Sequence, residues 1–200
     1  MSILICVPTY EHIAPETFKS IYAQDANEIH GRPLFDFVKG YGCAQARNLC
    51  AREALDCGAE YLMFVDSDVI IPSDAVNRLI AADSDIALGV YPRRNTSTGQ
   101  TEVFLAGDNF LDENNLNLSD IYKYKDDPVI PVKGGGMGCT LIKTELFNKI
   151  AYPWFRYVEY DNGTVLSEDN YFCWRAKEEA DVKISCDTSV RCYHRSICWI

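Results

Sequence analysis

An α/β domain built on a mostly parallel central sheet flanked by helices is the fold this sequence predicts, and three observations carry it. Strand-like and helix-like segments alternate along most of the chain. The strand-like segments are continuous apolar runs, the pattern of strands buried on both faces, and not period-two alternations. The chain has 200 residues, 48% of them hydrophobic and 24% charged, which is enough for one sizeable core of ordinary globular composition. A single domain over residues 1–200 follows.

The elements read in order as follows. ILICV, residues 3–7, is an apolar strand that Pro8 is expected to stop. Pro15 suits the first turn of a helix reaching about residue 23. Residues 34–38 form a short strand closed by Gly40 and Gly42. Residues 44–57 place apolar or small side chains at helical spacing, and Gly58 ends that helix. YLMFV, residues 61–65, is the clearest buried strand. Pro72 and Ser73 introduce a helix to residue 81, and a strand follows at 86–90. Residues 91–133 break the rhythm and predict a loop with one or two antiparallel strands, IYKYK at 121–125 among them. Gly134, Gly135 and Gly136 precede MGCTLIKTELF, a short strand leading into a helix; residues 168–179 are a helix and 182–185 a late strand.

Charge and cysteine content narrow the function. Nineteen Lys and Arg against 29 Asp and Glu give a net charge of −10, which argues against a cation-rich sleeve for nucleic acid but leaves room for a local phosphate site. MSILICVPTY lacks a basic leader region and reads as a buried strand, and no stretch approaches a membrane span, so the expectation is a cytoplasmic, reduced protein. Cys43, Cys50 and Cys57, seven residues apart, are expected to be small buried residues along one helix face. RSICWI, residues 195–200, ends the chain on an apolar note.

The sharpest motif is FVDSDVIIP, residues 64–72, in which an apolar strand emerges into Asp66, Ser67 and Asp68. Ligands of open α/β sheets bind at such carboxyl ends. Paired carboxylates there suit Mg²⁺ or Mn²⁺ beside phosphate oxygens; the plainer alternative is a polar strand exit capping the helix near Ser73. Glu168 and Asp169 open a helix, where acids either complement the dipole or do chemistry. The glycines at 134–136 lack the Lys-Ser ending of a nucleotide-hydrolase loop. His12, His30 and the pair Arg93 and Arg94 carry no specific assignment, the arginines either reaching phosphate or being solvated.

Four segments in this order resemble the nucleotide-sugar glycosyltransferases of the GT-A fold, closest to family 2 and the Anp1-like group: VPTY at 7–10, ARN at 46–48, FVDSD at 64–68 followed by LGVYPRR at 88–94, and GGGMGCTLIKTELF at 134–147 with SEDNYFCWRAKEEA at 167–180. The resemblance implies a nucleotide-binding half at 1–90, a loop with antiparallel strands at 91–133, and an acceptor and catalytic half at 134–200. It implies that Pro8, Thr9 and Tyr10 cradle base and ribose, and that Arg47 approaches the diphosphate or fixes an aspartate near it. Asp66 and Ser67 would meet ribose or bound water, Asp68 and His194 would ligate Mn²⁺ or Mg²⁺ with Asp66 beside them, and Gly135, Gly136 and Met137 would let sugar or acceptor approach the backbone. Asp169 would be the general base, with Glu168 orienting it or the acceptor, in an inverting transfer to a hydroxyl. The implied donor is a UDP-sugar ahead of a GDP-sugar; the acceptor is a glycan, a small molecule or a macromolecule, and the compact chain suits either a homo-oligomer or a large acceptor bound on an open face. The sequence departs from the family at 37–42, where FVKGYG replaces the usual acidic turn. The competing readings are a nucleotidyltransferase, whose Gly- and Lys-rich loop VPTYEHIAPE does not offer, and a nucleotide- or carbohydrate-binding module without turnover.

Overall fold

The apolar runs assemble into one large sheet. The computed structural model describes residues 1–24, 33–94, 99–105 and 114–195. The first half contains β1 (Ile3–Thr9), α1 (Pro15–Tyr22), β2 (Leu34–Lys39), α2 (Cys43–Asp56), β3 (Tyr61–Val65), β4 (Val69–Ile70), α3 (Ala75–Ala81) and β5 (Ile86–Val90). Next come β6 (Gln100–Leu105), β7 (Asn115–Asn117), a 3₁₀ segment (Leu118–Tyr124), β8 (Val129–Gly135) and β9 (Cys139–Lys143). The chain then forms α4 (Leu146–Lys149), β10 (Val158–Glu159), β11 (Val165–Leu166), α5 (Glu168–Ala180), β12 (Ile184–Arg191) and β13 (Tyr193–His194).

Nine strands lie in the order β2-β1-β3-β9-β5-β12-β8-β6-β7. β2, β1, β3, β5 and β12 run in one direction, with β9 inserted antiparallel between β3 and β5. The β8, β6 and β7 end is antiparallel, as expected for the part after residue 91. Alternate side chains of β1 feed two cores, Leu4 and Cys6 entering the layer under α2 and α5, Ile3, Ile5 and Val7 the layer under α1 and α3. Both layers exclude water, which is why these strands read as unbroken apolar runs.

Four details differ from the sequence reading. Pro8 does not stop β1: pairing to β3 ends at Cys6, but pairing to β2 continues through Thr9, so the missing N–H falls where β1 has one neighbour only. IYKYK lies in the 3₁₀ segment and not in a strand; Ile121 alone is buried there, and Lys123 pairs with Asp120 at 2.6 Å, three residues back, as that helix favours. Gly134 and Gly135 belong to β8 and pair with Phe104 and Val103. β12 runs on past residue 185 because its polar residues find partners: Asp187 accepts from the Ser189 N–H and Oγ, and the Thr188 N–H donates to Pro128.

The cysteines also depart from expectation. Cys50 is buried, but Cys43 and Cys57, at the first residue and the C-cap of α2, are exposed. Cys6 and Cys50 are paired in a disulfide joining β1 to α2, where reduced thiols were expected. Among the described residues, no helix is long and apolar enough to cross a membrane. His30 and residues 196–200 lie outside the described residues.

Candidate active site

The carboxyl ends of β1, β3 and β5 face two cavities. β3 delivers Asp66, Ser67 and Asp68 through a tight turn in which the Val69 N–H donates to the Asp66 carbonyl at 3.0 Å. The turn sends the two carboxylates apart. Asp66 lines a cavity of about 520 Å³ together with Arg47, Tyr91, Glu168, Asp169 and His194. Asp68 lines a second, of about 460 Å³, with Thr9, Tyr10, His12, Ser67 and Arg195.

Arg47 ties the larger cavity together. Its side chain, 3% exposed, donates from Nη2 to Asp66 Oδ1 at 3.0 Å and from Nε to Glu168 Oε1 at 3.3 Å. The guanidinium lies 5.3 Å from the centre of the Phe64 ring, while Nη1 is buried with no hydrogen-bond partner among the described residues. Burial opposes its charge, but Asp66 and the other acidic groups around it hold it firmly protonated. Arg47 thus joins three elements: the end of β3, α2 and the start of α5.

Glu168 and Asp169 have opposite environments. Burial favours the neutral form of Glu168, but Arg47 together with hydrogen bonds from Cys43 and Tyr157 outweighs it, so its pKa is lowered. Asp169 is pushed up to about 6, first by burial and then by the neighbouring Glu168 charge. The Ser167 hydroxyl and the Asn170 N–H (2.8 Å) both donate to Asp169 Oδ1. No described residue bonds Oδ2, and the residue lines the cavity.

The other acidic group sits at a small ladder. β13 pairs antiparallel with β4, setting His194 opposite Val69 and bringing its Nε2 to 3.5 Å from Asp68 Oδ2. His194 Nδ1 lies 2.9 Å from the Pro92 carbonyl, which only accepts, so this nitrogen carries a proton, and in the neutral ring Nε2 presents its lone pair. The Arg94 guanidinium bonds both partners, Nη2 on Asp68 Oδ2 and Nε on His194 Nε2 at 2.8 Å. Burial alone would raise the Asp68 pKa, but His194 in its protonated form, and then Arg94, bring it below the usual carboxylate range. Asp68 Oδ1 is buried and has no hydrogen-bond partner among the described residues.

The remaining predicted residues are placed as follows. Thr9 lines the smaller cavity, its hydroxyl donating to the His12 carbonyl at 2.7 Å, and Tyr10 stands 72% exposed on the rim. Pro8 is buried in β1 and lines neither cavity. Gly135, Gly136 and Met137 are buried and line neither cavity. The glycines make room instead. A Cβ on Gly136 would fall 2.2 Å from the Tyr91 hydroxyl, and one on Gly138 would fall 2.8 Å from Tyr91 Cζ and 3.0 Å from Asp66 Oδ2. Tyr91, whose hydroxyl accepts from the Gly138 N–H at 2.9 Å, forms part of the cavity wall.

Four contributors escaped the sequence reading: Tyr91, Cys43, Tyr157 and Asn48. Cys43 stands one helical turn before Arg47, a spacing that places both on one face of α2. Asn48 was part of the ARN motif, but its work is structural. Its Oδ1 accepts from the Trp154 and Phe155 N–H groups at 3.1 Å each, and its Nδ2 donates to the Ala44 and Phe155 carbonyls. This clamps the segment before Tyr157 onto α2.

No protein-family model and no curated protein sequence matches the chain. Among solved structures it is similar to A197 from STIV, at 19% identity and a TM-score of 0.68, over 98% of this chain and 87% of that one. It is also similar to S. aureus TarS 1–349 in complex with UDP, at 18% identity and a TM-score of 0.55, over 96% of this chain. A longer S. aureus TarS chain aligns at 17% identity and a TM-score of 0.56, over 98% of this chain. The chain spans 60% of the first TarS chain and 37% of the second. At these identities the likeness shows the fold, which is that of the GT-A-like glycosyltransferases.

Proposed function

We propose that the chain is a nucleotide-sugar-dependent glycosyltransferase of the family 2-like or Anp1-like kind, transferring a sugar to an acceptor hydroxyl with inversion. One observation carries the reading: within one cleft of a GT-A-like fold, a carboxylate with its pKa raised to about 6, Asp169, faces a cavity that His194 also lines, and His194 is paired with Asp68. A pKa near 6 leaves Asp169 ionised at neutral pH and basic enough to take a proton. In this scheme the acceptor oxygen attacks the anomeric carbon as Asp169 accepts its proton, and the bond to the diphosphate breaks with its electron pair leaving on that group. Arg47 and Glu168 hold the geometry in place. Thr9 and Tyr10, on the second cavity, take the nucleoside, for which UDP is favoured over GDP.

The fold family implies a divalent ion, and the residues fit one. Asp68 Oδ1 is a buried acceptor without a hydrogen-bond partner among the described residues, and Oδ2 and His194 Nε2 lie 3.5 Å apart, a gap that an ion with ligand distances of about 2.1 Å would span. Among the described residues no group of three or more His, Cys, Asp and Glu forms a metal cage, so Asp68 and His194 would share the ion with donor oxygens. Asp66 is committed to Arg47. When bound, Mn²⁺ or Mg²⁺ would neutralise charge on the departing diphosphate.

The test is calorimetric titration of UDP and GDP, with and without Mn²⁺, into the wild type and the D68A/H194A double variant. Manganese-dependent binding of one nucleotide, lost in the double variant, is the expected result. Absence of binding by folded wild type would count against a UDP or GDP donor. Retained nucleotide binding in D169N with loss of transfer separates an enzyme from a binding module.

A further inference from the structure

We propose that Arg94 is a resident cation of the Asp68–His194 pair, which a divalent ion must displace, so that Arg94 sets how tightly the metal binds before nucleotide arrives. The inference rests on the metal reading above and adds to it a residue outside the expected ligand set. Arg94 follows β5 by four residues, two beyond the Pro92 carbonyl that fixes the His194 tautomer. Its guanidinium bonds the same two atoms, Asp68 Oδ2 and His194 Nε2, that would face the ion. A lone pair occupied by an Arg N–H is closed to a metal, so guanidinium and ion compete for one position.

The surroundings suit exchange more than permanent replacement. The Arg94 side chain is 59% exposed, whereas those of Asp68 and His194 are 21% and 10% exposed, so the cation is the part free to leave. Arg94 satisfies Oδ2 but leaves the buried Oδ1 of Asp68 without a hydrogen-bond partner among the described residues, so the guanidinium does not complete the carboxylate's bonding. Arg94 also lines the larger cavity, so on release its charge stays beside the cleft. Where the competent state is only a fraction of the population, the apparent dissociation constant rises by the inverse of that fraction. An occupancy of about nine-tenths by Arg94 through its two charge-assisted hydrogen bonds would weaken metal binding about tenfold.

The experiment is Mn²⁺ binding to the full chain without nucleotide, read by calorimetry and by the paramagnetic resonance of free Mn²⁺. It compares the wild type with Arg94→Gln, Arg94→Lys and the double variant Arg94→Gln/Asp68→Asn. Thermal melts should match, since Arg94 is exposed. Arg94→Gln is expected to bind Mn²⁺ about tenfold tighter than wild type, Arg94→Lys to fall between them, and the double variant to lose the gain. Equal or weaker binding by Arg94→Gln, with UDP-dependent Mn²⁺ binding intact in the wild type, would overturn the role of Arg94 alone. No Mn²⁺ binding by either protein, even with UDP, would overturn the metal reading and the proposal together.

Discussion

Replacing Asp169 with Asn should stabilise the fold while ending transfer. Asp169 rises from an ordinary 3.8 to about 6, so the folded state holds its proton more tightly than the unfolded chain does. An acid of this kind contributes most to stability below pH 3.8, and the contribution is lost as pH rises through about 6. At about 1.36 kcal/mol per pKa unit, the ionised carboxylate costs about 3 kcal/mol at pH 7.5 and under about 1 kcal/mol at pH 4. Asn is neutral and nearly isosteric. Its carbonyl oxygen can still accept from Ser167 and Asn170, the two donors that Asp169 uses. Urea unfolding should therefore show D169N more stable than wild type by about 1–3 kcal/mol at pH 7.5, with the difference closing towards pH 4. A D169N protein that is less stable at pH 7.5, or a difference that ignores pH, would refute the claim that burial and Glu168 strain this carboxylate.

Two further outcomes test the same network from outside the reacting group. The rate of transfer should rise with pH through about 6 as Asp169 ionises, and Glu168→Gln should move that limb to lower pH by removing the neighbouring negative charge; a limb that stays in place would remove Glu168 from the account. Asn48→Ala strips both acceptor and donor from the buried Trp154–Phe155 backbone and should cost about 2–4 kcal/mol in chemical denaturation.

The parts of the fold that a sequence can show are those whose burial is uniform. β1, β3 and β5 lie between two core layers, so their runs are apolar throughout and were read with little error. β12 was cut short because Asp187, Thr188 and Ser189 look like a loop, and only their tertiary hydrogen bonds make burial tolerable. The two-residue strands β10, β11 and β13 are too short to carry a period. The charged candidates of the site were visible as motif fragments. Their pairings were not. The approach of His194 to Asp68 depends on one short ladder between β13 and β4, and the contact of Glu168 with Tyr157 depends on a segment clamped by Asn48. Neither dependence leaves a spacing that sequence inspection detects.

The two acidic motifs share a division of labour that explains why each needs two carboxylates. In D-x-D, Asp66 turns towards Arg47 and Asp68 faces the other cavity; in the E-D pair, Glu168 turns towards the same Arg47 and Asp169 is left without a cationic hydrogen-bond partner. One carboxylate of each pair is thereby held by Arg47, and the other lines a cavity. Arg47 is shared between Asp66 and Glu168, and its effect on Asp169 is outweighed first by burial and then by the Glu168 charge, which together raise that pKa. The arginine that fixes the end of β3 against α5 acts on Asp169 in both senses: its own charge lowers that pKa, and the ionised Glu168 that it stabilises raises it. A single cation between Asp66 and Glu168 sets the relative placement of the two motifs and, by keeping Glu168 ionised, sustains one of the two causes that raise the Asp169 pKa.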